Sequence, residues 1–268
     1  KNLDVYGKRL VEAGINVYSL DIGHETSFLR ALFKLYKYLR LIKPDIVQTW
    51  MFHADLVGGV VAKFAGVKRI YWGIHAANIK LLSFPTRMVV LFCSLLSYII
   101  PQKIICCGAQ VKNVMATNLY SKSKLVVIQN GYDTNHFSNL GPTYELNPSD
   151  FNSDQQDSLV GFFGRWDIHK DIPNLLSAIK ITLNRGIKVN FFFAGIGLSS
   201  DNKELSDDID SKGLSNNIIL LGEIDYMPSL MRRVDISILS SISEGFPNVL
   251  AESMACGTPC IATNVGDS

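Results

Sequence analysis

The alternation of short apolar strands with amphipathic helices, repeated in both halves of the chain, most constrains the fold. Short runs rich in Val, Ile, Leu and Phe predict strands that are buried on both faces. Stretches with helical spacing of apolar residues lie between them, and this order predicts parallel sheets covered by helices, the α/β class. The predicted strands span residues 14–20, 45–49, 69–74, 103–107 and 125–128 in the first half, and 159–163, 188–194, 218–221 and 235–239 in the second.

Helical periodicity fills the intervals between these strands. The longest apolar run lies within residues 84–101, and it is shorter than the roughly 20 residues that span a bilayer. We interpret it as a core helix and keep an interfacial membrane role open. The other predicted helices span residues 27–41, 172–184, 203–212, 226–233 and 247–256, and one more passes through 56–62.

Residues 138–158 are polar, contain Pro and Gly, and show no periodicity, which is typical of a linker between domains. We therefore predict an N-terminal domain at 1–140, a linker at 141–157 and a C-terminal domain at 158–268. The chain opens on a helix that ends at Gly14, without the strand and glycine-rich turn that normally come first, and it stops directly after a strand. We expect an internal piece of a longer protein.

The composition argues against a dedicated nucleic-acid binder, because 26 Lys and Arg balance 24 Asp and Glu to a net charge of +2. Five cysteines without a framework spacing indicate structural thiols in a reducing cytosol. Helix 27–41 carries five cations on or just after it, and no acid occurs between residues 27 and 44. This pattern suits contact with an anionic membrane surface, or simply a solvated helix face.

A strand, a turn and a helix follow one another in residues 234–257. Pro247 suits the first turn of the helix, and the free N–H groups and dipole there suit a phosphate. Glu244 in the turn and Glu252 in the helix flank this site, where carboxylates can accept hydrogen bonds from sugar hydroxyls. From spacing alone, both are equally well explained as favourable charges near a helix N-terminus.

Three other strand ends carry polar residues. Arg165 and Lys170 follow the first strand of the second half and suit a diphosphate, or are two surface cations. His75 and His53 follow strands of the first half, where His53 could line the acceptor site. Gly195 and Gly197 form only Gly-x-Gly, which argues against a dinucleotide oxidoreductase. We interpret the Asp-x-Asp of residues 208–210 as surface charge, and His24 and His169 as surface residues.

The string Glu-Gly-Phe-Pro-Asn-Val-Leu-Ala-Glu at 244–252 closely resembles the Glu-x7-Glu motif of the retaining family 4 glycosyltransferases. Gly-Arg-x4-Lys at 164–170 resembles a second motif of that family, with Asp171 where Gly is usual. Residues 128–137 resemble its Pro-Asn-Gly-Val-Asp-x3-Phe hinge, in which we interpret Asp133 as a cap and Phe137 as a packing residue. The resemblance implies the GT-B fold, two Rossmann-like α/β domains facing each other across a cleft.

The resemblance also implies roles for individual residues. Arg165 and Lys170 would stabilise the leaving diphosphate, Glu244 and His75 would lie by the donor sugar, and Glu252 would hold the ribose. The donor-binding residues implied in this way are Gly164, Gly195, Gly197, Gly222, Gly245, Phe246, Pro247, Asn248, Val249, Leu250 and Glu252.

The implied function is transfer of a hexose from a nucleotide-sugar, UDP-linked by preference, to a glycan or lipid-linked acceptor in polysaccharide biosynthesis. No metal or other cofactor and no nucleic acid is expected. The Trp-Met-Phe-His-Ala-Asp and Trp-Gly-Ile strings look like bacterial surface-polysaccharide transferases, which implies a cytoplasmic enzyme at the inner face of the membrane. Two alternatives stay open, a GT-B sugar-nucleotide epimerase and a non-catalytic partner subunit.

Overall fold

The computed structural model describes residues 5–20, 27–76, 78–145 and 157–268. Most of the predicted linker, residues 146–156, and His24 lie outside this part of the chain. By compactness the chain divides into two units. The first comprises residues 1–73, 84–105 and 119–125, and the second comprises 74–83, 106–118 and 126–268. The predicted domain division at 141–157 stays a prediction.

The first half of the chain builds a four-stranded sheet of order β1-β2-β3-β4, in which β1 and β2 are parallel. Its strands are β1 (Ile46–Trp50), β2 (Arg69–Ile74), β3 (Lys103–Cys106) and β4 (Leu125–Val127), and its helices are α1 (Val5–Glu12), α2 (Phe28–Ile42), α3 (Phe52–Phe64), α4 (Phe84–Leu96) and α5 (Ala109–Thr117).

The second half builds a five-stranded sheet of order β7-β6-β5-β8-β9, and all four strand pairs are parallel. Its strands are β5 (Ser158–Phe163), β6 (Val189–Ala194), β7 (Ile218–Gly222), β8 (Ile236–Leu239) and β9 (Cys260–Ala262), and its helices are α6 (Ile172–Asn184), α7 (Lys203–Ser211), α8 (Met227–Arg233) and α9 (Asn248–Ala255).

The second sheet is buried on both faces, as its apolar strands predict. Successive side chains of a strand point to opposite faces. Phe162 and Phe193 therefore pack in one core cluster, with ring centroids 5.1 Å apart, whereas Phe163 and Phe192 pack in the other. Each such buried side chain contributes about 1.5–3 kcal/mol to folding.

One prediction about local structure is wrong, and another holds only in part. Residues 15–20 form no strand, because no neighbouring strand is hydrogen-bonded to them within the described chain, and a strand needs such a partner. Within residues 84–101 the structure forms helix α4, which ends at Leu96. Only one face of this helix packs in the core, so the prediction of a core helix holds for that face alone. Val90 and Cys93 are buried, whereas its opposite face is exposed. Among the described helices, none is long and apolar enough to cross a membrane.

Asp55 is a fully buried acid in the first unit. Its Oδ1 accepts a hydrogen bond from Thr49 Oγ1 at 2.5 Å, but its Oδ2 has no hydrogen-bond partner among the described residues. Burial raises the pKa of Asp55 to about 7, against the hydrogen bonds from Thr49 and the Gly73 backbone, which lower it. Because the pKa in the unfolded chain is about 4, the folded chain binds this proton more tightly.

We expect the stability of the chain to fall as the pH rises from about 4 to about 7, because the folded state gives up the Asp55 proton only near pH 7. Between about pH 5 and about pH 8, Asp55→Asn should reduce this decline by about 3 kcal/mol, because about two pKa units of the shift lie above about pH 5 and one unit corresponds to about 1.4 kcal/mol. Urea unfolding at about pH 5 and about pH 8 measures both slopes.

The matched control is Asp45→Asn, which neutralises an exposed aspartate of the same unit. It should leave the slope close to that of the unchanged chain. If both variants have the same pH dependence, Asp55 is not the group responsible.

Candidate functional site

Three loops meet at one edge of the second sheet. They follow β5, β6 and β8, which are adjacent and parallel, so their carboxyl ends lie side by side. Ligands of open α/β sheets bind at this edge. The loop after β5 carries Arg165 and Lys170, the loop after β6 carries Gly195 and Gly197, and the turn after β8 carries Glu244.

Lys170 and Glu244 form an ion pair between two of these loops. Lys170 Nζ lies 2.6 Å from Glu244 Oε1, which also accepts a hydrogen bond from Ser241 Oγ at 2.6 Å. Both charged side chains are largely buried, 17% and 14% exposed. The Lys170 carbonyl accepts a further hydrogen bond from Ser240 Oγ at 2.7 Å. Two of the predicted catalytic residues are thus brought together, 74 positions apart in sequence.

Arg165 is placed differently from Lys170. Its side chain is 65% exposed, and its Nε donates to Asp167 Oδ2 at 3.1 Å. Asp167 also accepts from the His169 amide at 2.9 Å and so caps a single 3₁₀ turn, Ile168–Lys170. Burial raises the pKa of Asp167, but the His169 hydrogen bond and the Arg165 charge outweigh it and lower that pKa overall. In the described chain no hydrogen bond or ion pair joins the Arg165 side chain to Lys170 or Glu244.

Asp171 adopts the left-handed conformation, with φ of +49°, at the start of α6. Glycine takes this conformation without strain, and Asp is among the few residues that tolerate it. The geometry gives a physical reason for the glycine that the resembling motif has at this position.

The turn after β8 leads directly into α9, with Pro247 as the residue preceding the helix and Asn248 as its first residue. Pro247 thus lies one position earlier than predicted, at the cap. Glu252 is half-buried on α9, and burial raises its pKa, although His136 nearby lowers it. The half-buried Glu252 and the exposed Asn248 lie one turn apart on the same short helix.

Gly245 lies against the carboxyl end of β2. A Cβ at this position would lie 2.3 Å from the His75 carbonyl oxygen and 3.1 Å from Cys107 Sγ, and all three residues belong to the second unit. His75 is half-buried, and burial lowers its pKa, which favours the neutral imidazole. The structure therefore brings the backbone of His75 to the turn that carries Glu244. A role of its side chain at the donor sugar stays a prediction.

Both halves of the chain match known glycosyltransferase models. Residues 6–136 match the model described as Glycosyltransferase Family 4, and residues 144–267 match the one described as Glycosyl transferases group 1. The chain belongs to the family 4-like glycosyltransferases. An Escherichia coli relative, UDP-Gal:alpha-D-GlcNAc-diphosphoundecaprenol alpha-1,3-galactosyltransferase, is 23% identical over 88% of this chain and 62% of its own length. The capsular polysaccharide biosynthesis glycosyltransferase CapM of Staphylococcus aureus is 24% identical over 99% of this chain and 73% of its own length.

Solved structures show the same fold. The Anabaena protein HepE, solved in complex with UDP-glucose, superposes with a TM-score of 0.79 at 21% identity, over 99% of this chain and 72% of HepE. A glycosyltransferase from Rickettsia africae gives a TM-score of 0.74 at 18% identity, over 99% of this chain and 70% of its own. The predicted α/β class and GT-B fold are confirmed. The chain spans less than two thirds of the length of the Escherichia coli relative.

Sequence reasoning missed two residues that contact Asn248, one of the predicted donor-binding residues. Asn130 and Tyr132 both hydrogen-bond to the side chain of Asn248. The interpretation of residues 128–137 as structural is right for Asp133, whose Oδ1 accepts from the Asn135 amide at 2.9 Å, and for Phe137, which packs on the core. This interpretation does not include the contact of Asn130 with Asn248, because nothing in the sequence around position 130 indicates a contact with a helix 118 residues later.

A third missed contact involves Asp267. Its carboxylate oxygens accept hydrogen bonds from the first two amides of α5, Ala109 at 2.5 Å and Gln110 at 2.7 Å. The neighbouring Gly266 packs on Glu244, because a Cβ there would lie 2.2 Å from the Glu244 carbonyl oxygen. The segment after β9 thus supports the turn that carries Glu244.

The remaining candidates are peripheral. His53 is exposed at the start of α3, and its role at the acceptor stays a prediction. His169 is partly buried, and its Nδ1 has no hydrogen-bond partner in the described part of the chain, so its prediction as a surface residue holds only in part. Asp208 pairs with Lys212 and Asp210 accepts from Ser215, so each carboxylate of the Asp-x-Asp has its own partner. Within the described residues no group of three or more metal-ligating side chains occurs.

Two predicted donor-binding glycines have a structural reason to be glycine. Gly195 has φ of +135°, and a Cβ there would lie 1.6 Å from the Gly164 carbonyl oxygen. Gly197 has φ of +74°, and a Cβ there would lie 2.8 Å from the Trp166 Cβ. The loops after β5 and β6 therefore approach each other more closely than any side chain would allow.

We expect Gly195→Ala to destabilise the fold by at least about 3 kcal/mol, because backbone atoms must move apart. The control is Gly186→Ala, which shares a positive φ, +79°, but has no atom of the described residues within 4 Å of the added Cβ. Gly186→Ala should lower the free energy of unfolding by only about 1–2 kcal/mol. Urea unfolding of both variants measures the difference, and equal losses would contradict the close approach.

Proposed function

We propose that this chain carries the donor site of a retaining glycosyltransferase that moves a sugar from a UDP-sugar to a glycan or lipid-linked acceptor. The observation that carries the proposal is the Lys170–Glu244 pair at the carboxyl edge of β5 and β8, next to the start of α9. The Escherichia coli relative is named for UDP-galactose and a diphosphoundecaprenol-linked acceptor, and HepE was solved with UDP-glucose. Both names support a UDP-sugar donor, and the first supports a lipid-linked acceptor.

In the proposed reaction, the bond between the anomeric carbon and the diphosphate oxygen breaks, and the electron pair leaves with the diphosphate. Lys170, Arg165 and the free N–H groups of α9 stabilise this growing negative charge. The acceptor hydroxyl forms the new bond on the same face of the sugar, and its proton passes to the departing phosphate. Glu244 and His75 orient the sugar, and Glu252 holds the ribose.

We further propose that the reaction needs no resident metal or other cofactor. Lys170 and the start of α9 supply positive charge where a metal would otherwise neutralise the diphosphate. The relatives described above are transferases by name. They favour transfer to an acceptor over epimerisation of a free nucleotide-sugar or a purely non-catalytic role.

We expect UDP to raise the melting temperature of the chain, whereas GDP, ADP and NAD do not. At a concentration of about 100 times Kd, a ligand stabilises by about 2.7 kcal/mol, which is a shift of a few degrees. Glu252→Ala should abolish the shift, because it removes the carboxylate proposed to hold the ribose. Thermal unfolding in the presence of each nucleotide measures this.

The control variant is Glu204→Ala, which removes an exposed carboxylate on α7 and should leave the UDP shift intact. A cooperatively melting chain that responds to no nucleotide would contradict the donor site. A larger shift with GDP or ADP than with UDP would contradict the proposed nucleotide.

We also propose that the chain contacts the inner face of the cytoplasmic membrane through its first unit. Helices α2, α3 and α4 pack side by side in that unit. Exposed apolar side chains lie along α4 at helical spacing, with Phe84 74%, Phe92 50% and Leu95 56% exposed. Such a surface is unusual on a protein that stays in water.

The charges around these helices suit an anionic lipid surface. The only acid in the three helices is the buried Asp55. Between residues 26 and 132 the sequence holds 14 Lys and Arg but only two acids, Asp45 and Asp55. Cations next to exposed apolar side chains favour binding to the headgroup region of anionic bilayers. This location would place a lipid-linked acceptor near the enzyme.

We expect the chain to sediment with phosphatidylcholine vesicles that contain about one third phosphatidylglycerol, and much less with pure phosphatidylcholine. Leu95→Gln should weaken vesicle binding severalfold, because it removes apolar surface from α4. The control Ile181→Gln changes a side chain of nearly equal exposure, 55%, on α6 of the second unit and should bind like the unchanged chain. If both variants lose vesicle binding equally, or if Leu95→Gln binds vesicles like the unchanged chain, the proposal that α4 contacts the membrane is wrong.

A further inference from the structure

Asn248, the first residue of α9, has its side-chain oxygen held by two donors. Asn130 Nδ2 donates to Asn248 Oδ1 at 2.7 Å, and Tyr132 Oη donates to the same atom at 3.1 Å. The donors come from the loop after β4, 118 and 116 positions away in sequence. All three residues belong to the second unit.

The Tyr132 ring is itself fixed next to the turn after β8. Its centroid lies 6.3 Å from that of Phe246, at an interplanar angle of 31°. Burial, together with the nearby Glu252 and Cys107, raises the pKa of Tyr132 to about 12. The phenol therefore keeps its proton at neutral pH and remains a hydrogen-bond donor.

Two donors on one amide oxygen fix the orientation of the amide. The oxygen of an asparagine side chain has two lone pairs, and both are used here. The Nδ2 group then remains as the end of Asn248 that can bind a ligand, and the residue is exposed at the start of α9. An exposed asparagine would otherwise rotate freely and lose side-chain entropy on binding.

We propose that Asn130 and Tyr132 are positioning residues that hold the Asn248 amide so that its Nδ2 donates to a diphosphate oxygen of the nucleotide-sugar. This inference rests on the proposed function and adds a fixed neutral donor to the charged Lys170 and the α9 amides. The resembling motif has valine at the position of Tyr132. Valine carries no hydroxyl, so the second hydrogen bond is a property of this chain.

The test measures UDP affinity by calorimetry for the unchanged chain, Tyr132→Phe, Asn130→Ala and Asn248→Ala. Tyr132→Phe keeps the ring against Phe246 and removes one hydrogen bond, and we expect it to weaken UDP binding about fivefold. Asn130→Ala should have a similar effect, and Asn248→Ala a larger one. Uridine has no phosphate, so its affinity, measured by competition, should be the same for all four proteins.

The double variant Tyr132→Phe with Asn248→Ala decides whether Tyr132 acts through Asn248. If it does, Tyr132→Phe has no further effect once Asn248 is alanine. The inference is overturned if Tyr132→Phe and Asn130→Ala bind UDP like the unchanged chain, or if these variants weaken the binding of UDP and uridine equally. It is also overturned if the losses of UDP affinity in Tyr132→Phe and Asn248→Ala add up in the double variant. A chain that fails to bind UDP at all would overturn the proposed function and this inference with it, whereas UDP binding that is unchanged in the variants overturns the inference alone.

Discussion

Parallel pairing of β5 with β6 on one side and β8 on the other is the constraint on which the site depends. The three strands end at nearly the same level of the sheet. This follows from the register, which pairs Phe163 with Ala194 and Phe162 with Ile238. The loops that follow must therefore leave the sheet side by side. Lys170 and Glu244 meet for this reason, although 74 positions separate them. The close backbone approach at Gly195 completes the same edge of the sheet.

The elements of the second half were predictable because their signals are local. A strand covered on both faces is an apolar run, and a helix over a sheet is amphipathic, so each could be read from a short window. Helix α6 spans residues 172–184 as predicted, and β5, β6 and β8 differ by one residue at an end. The prediction failed at residues 15–20 and on the outer face of α4. In both places the outcome depends on what lies beside the segment, which composition does not reveal.

Contacts between distant side chains could not be predicted in the same way. The resemblance implied that Lys170, Glu244 and Asn248 lie in one site, but it did not imply that Lys170 pairs with Glu244. The hydrogen bonds to Asn248 and those from the α5 amides to Asp267 join segments more than a hundred residues apart. Asp55 illustrates the same limit, because an acid in the first turn of a helix is typical of a solvated position. Its burial follows only from the packing of α3 on the first sheet.

The Lys170–Glu244 pair also explains how the Lys170 ammonium stays charged in a largely buried position, where the proposed anionic substrate would bind. A buried ammonium without a partner would lose its hydration without compensation. Glu244 offsets that cost, and Ser241 satisfies the same carboxylate oxygen. An ammonium has three N–H donors, and Glu244 accepts from one of them. In the proposed reaction, Lys170 would therefore already be protonated, with donors to offer the diphosphate. In the reaction we propose, binding of the diphosphate to Lys170 would free Glu244 to accept hydrogen bonds from sugar hydroxyls. The proposed roles of these two residues are therefore coupled, and neither is complete without the other.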